Sequence, residues 1–327
     1  MKNPQKKKRG YEREYTFLPH ADDFLLYIKA NNYSEETQYN YKRDLETFDI
    51  FLDEEMGGLP FSKLTKRIIE QYKAYLNSRD RKTAGGEIAL KHLKSGSVNR
   101  TLSSLRRYLA YLIDMDYQVP VAPGSIKLLR MEKKHPQVSE LKELVQLIES
   151  PMKFEQDKLV ALRNRAAMEV LLASGMRISE LISLKINQLD KTGRIFIEGK
   201  GRKQRFVYLT ERAQKHIRNY LEKRVDDSPF LFVAKRGRNA HDKNKHLSPN
   251  YLQMKIKQYR ELLGINVPTS AHSLRHGFAT YLAEEGANPA AIQILLGHES
   301  LDTTTRYVHA SDKYAESTHR KFHPLKE

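Results

Sequence analysis

Apolar residues recur at helical spacing along most of the chain and alternate at a period of two in only one short stretch. Between Pro19 and Tyr117 the spacing predicts helices. Asp22 to Ala30 carries Phe24, Leu25 and Ile28 on one face. Ser34, with Glu36 and Thr37, marks a helix start, followed by Tyr39, Tyr41, Leu45, Phe48 and Phe51. Gly57-Gly58-Leu59-Pro60 breaks the pattern. Thr65 caps a helix through Ile68, Ile69, Tyr72, Tyr75 and Leu76, and Ser97 opens another with Val98, Leu102, Leu105, Tyr108, Leu109 and Leu112. The tyrosines fall beside Leu and Ile, so they read as core rather than as platforms for bases. Arg79 to Ser95 is polar, with a Gly85-Gly86 pair, and connects helices.

The second half opens with helices at Glu140 to Glu149 and Lys158 to Ser174. The period then switches to two in Arg194 to Gly199 and Gln204 to Leu209, joined by Lys200-Gly201-Arg202-Lys203, which predicts a β-hairpin. Helices resume at Thr210 to Val225, Pro249 to Leu263, Ser273 to Glu284, Pro289 to Leu296 and Asp302 to His309. Pro120, Pro123, Gly124 and Pro136 punctuate a basic stretch with Lys127, Arg130, Lys133 and Lys134, the mark of a linker. The expected organisation is a basic tail (1–18), a helical domain (19–117), a linker (118–136) and a second domain (137–327). The fold class is mainly α with a small β-sheet, α+β.

Charge adds direction. The 327 residues hold 57 Lys+Arg against 40 Asp+Glu, a net of +17. A basic excess suits a polyanion, because each neutralised phosphate releases counterions. The charge is also segregated: residues 11–60 sum to −8, residues 61–110 to +9. One face turned to nucleic acid follows, with Lys63, Lys66, Arg67, Lys73, Arg100, Arg106, Arg107, Arg202 and Lys203 as candidate DNA contacts. Cysteine is absent, which removes thiolate catalysis and Cys-based zinc sites. Met1 to Arg9 is polar and basic with no apolar run behind it, so a cytoplasmic protein without a secretory signal is expected.

Candidate chemistry lies in the second half. Arg177 stands just after Gly175 at a helix-to-helix junction, with Glu180 three residues on, placed to cap or pair. Lys200 lies between two glycines at the hairpin turn, where backbone can approach a ligand closely. His272 and Arg275 share a stripe of one helix, and His276 borders it as a core histidine. His298 follows Gly297, which fits the position that ends a helix. Tyr307 comes nine residues later. Together these supply guanidinium, ammonium and imidazole groups for a phosphodiester, and a hydroxyl nucleophile. No carboxylate cluster suggests a two-metal mechanism and no Walker A pattern is present, so neither metal nor cofactor is expected.

The sequence resembles a tyrosine recombinase of the Xer or phage-integrase type. The matching residues are Arg177 in SGMRISEL, Lys200 in GKGRKQR, His272 and Arg275 in HSLRHGFAT, His298 in LLGH and Tyr307 in TTTRYVH. Residues 19–117 resemble the family's helical, SAM-like core-binding domain. The resemblance implies a C-shaped clamp on DNA built from two domains. Arg177 and Arg275 would hold the scissile phosphate with His298 as a further donor. Lys200 would be the general acid, His272 a general base or phosphate ligand, and Glu180 a supporting residue. Tyr307 would form a 3′-phosphotyrosyl link, and strand exchange would pass through a Holliday junction. The implied partners are a double-stranded DNA recombination site and three further protomers, of this chain or a paralogue. Phe322 and Leu325 would anchor a C-terminal tail on a neighbouring protomer. The first 18 residues leave no room for a folded arm-binding domain. Two other readings stand beside this one: relaxation of DNA like a type IB topoisomerase, and a non-enzymatic helix-turn-helix regulator formed by Pro289 to Val308.

Overall fold

Two compact units divide the chain, residues 1–134 and 135–327. The structure, a computed structural model, describes residues 15–131, 139–198, 204–237, 240, 242 and 245–297.

In the first unit, α1 (Ala21–Ala30), α2 (Glu35–Ile50), α3 (Lys66–Asn77) and α4 (Ser95–Asp114) enclose one core. The hydroxyl oxygens of Ser34 and Thr65 accept N–H groups from the first turns of α2 and α3, satisfying donors that have no partner within the helix. A single π-helical segment, Phe51–Glu55, extends α2 and turns Phe51 and Leu52 into the core. Tyr72, Tyr75 and Tyr108 are buried, whereas Tyr39 is exposed on the outer side of α2. A buried tyrosine hydroxyl usually finds a partner; those of Tyr75 and Tyr108 do, whereas that of Tyr72 has none among the described residues. Tyr108 donates to the Pro19 carbonyl at 2.5 Å, and the Tyr75 hydroxyl accepts the Lys82 N–H at 2.7 Å. That bond seats a small antiparallel turn, Lys82 opposite Ile88, within the polar connection between α3 and α4. Asp44 of α2 is buried against α4, where it pairs with Arg100 and accepts from Ser104 Oγ at 2.7 Å.

The stretch expected as linker is held to this unit over residues 118–131. Val121 and Ile126 are buried in its core. Asn99 grips both backbone groups of Leu129, donating to its carbonyl at 2.9 Å and accepting its N–H at 2.7 Å. The prolines there turn the chain back onto the core rather than away from it.

The second unit contains α5 (Leu141–Glu149), α6 (Pro151–Phe154), α7 (Lys158–Ser174), α8 (Ile178–Ser183), β1 (Arg194–Glu198), β2 (Gln204–Tyr208), α9 (Glu211–Leu221), α10 (Pro249–Leu262), α11 (Ala271–Glu284) and α12 (Pro289–Leu296). α7 is buried on nearly every side and packs against α9 and α11. A helix covered all round has no polar outer stripe, and its buried Arg163, Asn164, Arg165 and Glu169 are hydrogen-bonded or ion-paired inside the unit. β1 and β2 pair antiparallel, with Arg194 opposite Tyr208 and Glu198 opposite Gln204. Ile195, Ile197, Arg205 and Val207 form the inward face. The helix expected over Thr210 to Val225 ends at Leu221. The chain then folds around Arg224, which binds Asp226 and the carbonyls of Ser228, Phe230 and Leu231. The helix expected over Asp302 to His309 lies outside the described residues. Among the described residues no helix is long and apolar enough to cross a membrane.

Candidate active site

Gly175 ends α7 in the left-handed region, φ +63°, and turns the chain so that Arg177 caps α8 two residues later. A Cβ at Gly175 would stand 2.3 Å from Cδ1 of Phe278, so only glycine brings this turn so close to α11. Arg177 is tied down at three points. Its backbone N–H donates to Glu180 Oε2 at 2.7 Å, its Nη1 to Glu180 Oε1 at 3.0 Å, and its Nη2 to the Gly297 carbonyl at 3.3 Å. The Arg177 side chain remains 35% exposed, open to a ligand.

Arg275 reaches the same place from α11. Ser270 and Ser273 fix the start of that helix by exchanging backbone and hydroxyl hydrogen bonds. Arg275 is buried, and its guanidinium bridges two helix ends: Nη1 donates to the Gly175 carbonyl and Nη2 to the Leu296 carbonyl, both at 2.7 Å. These are carbonyls that a helix cannot satisfy within itself. Gly297, at φ +64°, completes the end of α12.

His272 is exposed on the first turn of α11. Desolvation, then the charges of Arg275 and Arg177, hold its pKa below the ordinary 6.5, which favours the neutral imidazole. His276 lies edge-on to it, ring centroids 4.2 Å apart, and its pKa is pushed down to about 4 by burial and by His272 and Arg275. Glu180 is buried, and burial works against its charge. Hydrogen bonds from Arg205 and from the Arg177 N–H outweigh that cost and hold its carboxyl below the usual range.

Arg177, Glu180, His272 and Arg275 are therefore brought together. Lys200, Arg202, Lys203, His298 and Tyr307 lie outside the described residues, as do Phe322 and Leu325. Arg205, which the sequence reading did not single out, belongs to the cluster. Its Nη1 and Nη2 donate to the two oxygens of Glu180 at 2.9 and 2.7 Å, and its Nε donates to the Leu295 carbonyl at 2.9 Å. The available signal was parity: in a strand of alternating pattern, Arg205 falls on the inward side with Val207.

Among the expected DNA contacts, Lys63, Lys66 and Arg67 are exposed around the start of α3. The remaining candidates of the first unit are engaged within it. Lys73 is buried and pairs with Glu70 at 2.6 Å, and Arg100 pairs with Asp44. Arg106 donates to the Ile126 carbonyl, and Arg107 to the Tyr27 hydroxyl at 3.1 Å. A cavity of about 610 Å³ in the second unit, lined by Phe154, Arg163 and Tyr251, includes none of the candidate catalytic residues. Among the described residues no group of three His, Asp or Glu is placed to hold a metal ion.

Comparison with known proteins identifies the family. The phage integrase family matches residues 137–314, and the phage integrase N-terminal SAM-like domain matches residues 21–115. Tyrosine recombinase XerC of Lactobacillus delbrueckii subsp. bulgaricus is 32% identical over 315 residues, covering 93% of this chain and 99% of the relative. XerC of Leptospira interrogans is 32% identical over 313 residues, 93% of each chain. Among solved structures, the XerH site-specific recombinase bound to palindromic difH substrate superposes with a TM-score of 0.68 at 22% identity, over 91% of this chain and 82% of that one. The Tn1549 transposon integrase in complex with transposon right end DNA gives 0.66 at 17%, over 92% and 98%. The structural likenesses establish the integrase fold with its SAM-like N-terminal domain, and the sequence matches establish more: the chain belongs to the phage integrase family and is a tyrosine recombinase.

Proposed function

We propose that this enzyme recombines double-stranded DNA at a specific site through a 3′-phosphotyrosyl intermediate, without metal or ATP. The observation that carries the reading is the convergence of Arg177 and Arg275 on the end of α12, beside His272 and directly before His298. Two guanidinium groups suit the non-bridging oxygens of a phosphodiester and the charge that grows on them as phosphorus becomes five-coordinate.

In this reading the Tyr307 hydroxyl oxygen attacks phosphorus, its proton passing to neutral His272. The bond from phosphorus to the 5′ oxygen breaks, and Lys200 protonates that oxygen. The phosphotyrosyl ester conserves the energy of the broken bond. A 5′ hydroxyl from the partner duplex then attacks it, releasing Tyr307 and joining the new strand. Repeated on the second pair of strands, this resolves a Holliday junction, with four protomers on two sites. The solved structures of XerH bound to palindromic difH substrate and of the Tn1549 transposon integrase in complex with transposon right end DNA support a DNA partner. Lys63, Lys66 and Arg67, exposed and unshielded by the contacts that engage Arg106 and Arg107, are the phosphate contacts proposed for residues 19–117. Arg202 and Lys203 are proposed for the hairpin, and residues 137–327 form the catalytic domain.

The test is covalent capture. Wild type and Tyr307→Phe are mixed with DNA, stopped with detergent, and the protein-bound DNA is sequenced. Adducts at a shared sequence with wild type and none with Tyr307→Phe are expected. Equal adducts in both would overturn Tyr307 as nucleophile. A relaxation assay against a junction assay on the recovered site separates strand exchange from topoisomerase action.

A further inference from the structure

We propose that Arg205 is a positioning residue for strand cleavage, holding Arg177 through the Glu180 carboxylate and the end of α12 through the Leu295 carbonyl. The proposal rests on the phosphotyrosyl reading above.

Each Glu180 oxygen is shared between two arginines. Oε1 accepts from Nη1 of both Arg177 and Arg205, and Oε2 accepts from the Arg177 backbone N–H and from Arg205 Nη2. The carboxylate is therefore a planar spacer that fixes one guanidinium relative to the other. Bidentate geometry sets orientation as well as distance, which a single lysine charge does not.

The third bond of Arg205 extends the frame. Leu295, Leu296 and Gly297 are consecutive carbonyls, and they accept from Arg205, Arg275 and Arg177 in that order. The segment that leads directly into His298 is thus registered against both proposed phosphate-binding arginines, with Arg205 as the link that need not touch DNA. Arg205 also stands on β2, five residues after Lys200 in the sequence. The fit is close: a Cβ at Gly297 would lie 3.0 Å from Cδ and Nη1 of Arg205. A buried ion pair is a weak source of stability, because well-packed apolar residues often serve as well. A buried arginine with all three of its bonds directed at groups beside the phosphate site is better explained by the geometry it imposes.

The experiment uses the full chain and a duplex carrying the sequence recovered by covalent capture. Three quantities are measured for Arg205→Met, Arg205→Lys, Glu180→Gln and the double variant Glu180→Gln/Arg205→Met: melting temperature, DNA affinity, and the single-turnover rate of adduct formation at saturating protein. Arg205→Met is expected to bind DNA within about threefold of wild type and to cleave about 100-fold more slowly, the scale of a misplacement near 1 Å. Arg205→Lys should recover about a tenth of the wild-type rate. The double variant should be no slower than its slower parent, because the two residues act as one unit. Wild-type cleavage by folded Arg205→Met, or losses that multiply in the double variant, would overturn the proposal. If Arg205→Met does not fold, Arg205→Lys decides: a wild-type rate overturns the proposal, and a slow rate with unchanged affinity and melting temperature supports it. A wild type that forms no adduct on the recovered duplex would instead count against the phosphotyrosyl reading.

Discussion

Each unit of the molecule buries a carboxylate against an arginine from a distant element, Asp44 in the first and Glu180 in the second, and the two sites are built differently. Asp44 in the first unit joins α2 to α4. Its oxygens are taken by Arg100, by Ser104 at 2.7 Å and by Thr101 at 3.4 Å, all from α4. It fastens one helix to another. Glu180 in the second unit joins Arg177, of its own helix, to Arg205 of β2, and both arginines also hold carbonyls at the end of α12. The same pairing of charges is used once as a fastener and once as a mount. A buried acid–arginine pair is thus read by what else its arginines hold, since exposure does not separate Arg100, at 39%, from Arg177, at 35%.

The sharpest way to break this comparison is to remove each carboxylate. Glu180→Ala should slow adduct formation by DNA-bound protein about 100-fold, since Arg177 and Arg205 lose their common reference. Asp44→Ala should leave that rate within about threefold. Equal losses in the two variants at saturating protein would erase the distinction.

Stability should rank the other way around the site. Gly175→Ala forces an alanine into φ +63° and a methyl into Phe278, and is expected to cost about 2–4 kcal/mol in denaturant unfolding of the second unit. Asp44→Ala should cost about 1–3 kcal/mol in the first, for a buried carboxylate whose hydroxyl partners lose their acceptor.

Acid sharpens the contrast further. The Glu180 carboxyl is held below 4.5, so the stability it contributes is complete above that pH and is lost as pH falls through its folded value. The His272 pKa is also lowered, so the imidazole takes up its proton only at a pH below the ordinary 6.5, and the acid limb of cleavage should lie below that value. NMR titration of His272 checks this, and Arg177→Met should move its pKa upward. The smallest effect belongs to the proposed DNA face. Lys66→Ala or Arg67→Ala should each flatten the salt dependence of DNA binding by about 0.9 in log–log slope, without changing the cleavage rate of bound DNA.

Much of the site was legible because its local geometry is written in short spacings. A glycine two residues before Arg177 ends one helix and lets the arginine start the next. Ser270 and Ser273 begin the helix that carries His272 and Arg275. Arg205 was not legible in this way, because its importance depends on which face of β2 turns inward and on what waits there. Charge counting also overran. Lys73, Arg100, Arg106 and Arg107 contribute to the basic excess of residues 61–110, yet each has a partner inside the first unit. Composition registers a charge but not its neighbour. Val121 and Ile126 escaped for the opposite reason, being two apolar residues among prolines, where only tertiary packing reveals a core.

The two carbonyls that Arg275 bridges have a further meaning. They close the C-terminal ends of α7 and α12, where aligned peptide dipoles leave roughly half a negative elementary charge each. A cluster of Arg177, Arg205 and Arg275 would repel itself in the absence of an anion. Glu180 and the two helix ends supply the missing negative charge from within the chain. Against three positive charges these sources sum to about −2, so Arg177, Glu180, Arg205 and Arg275 hold together with about one positive charge left for the proposed phosphate.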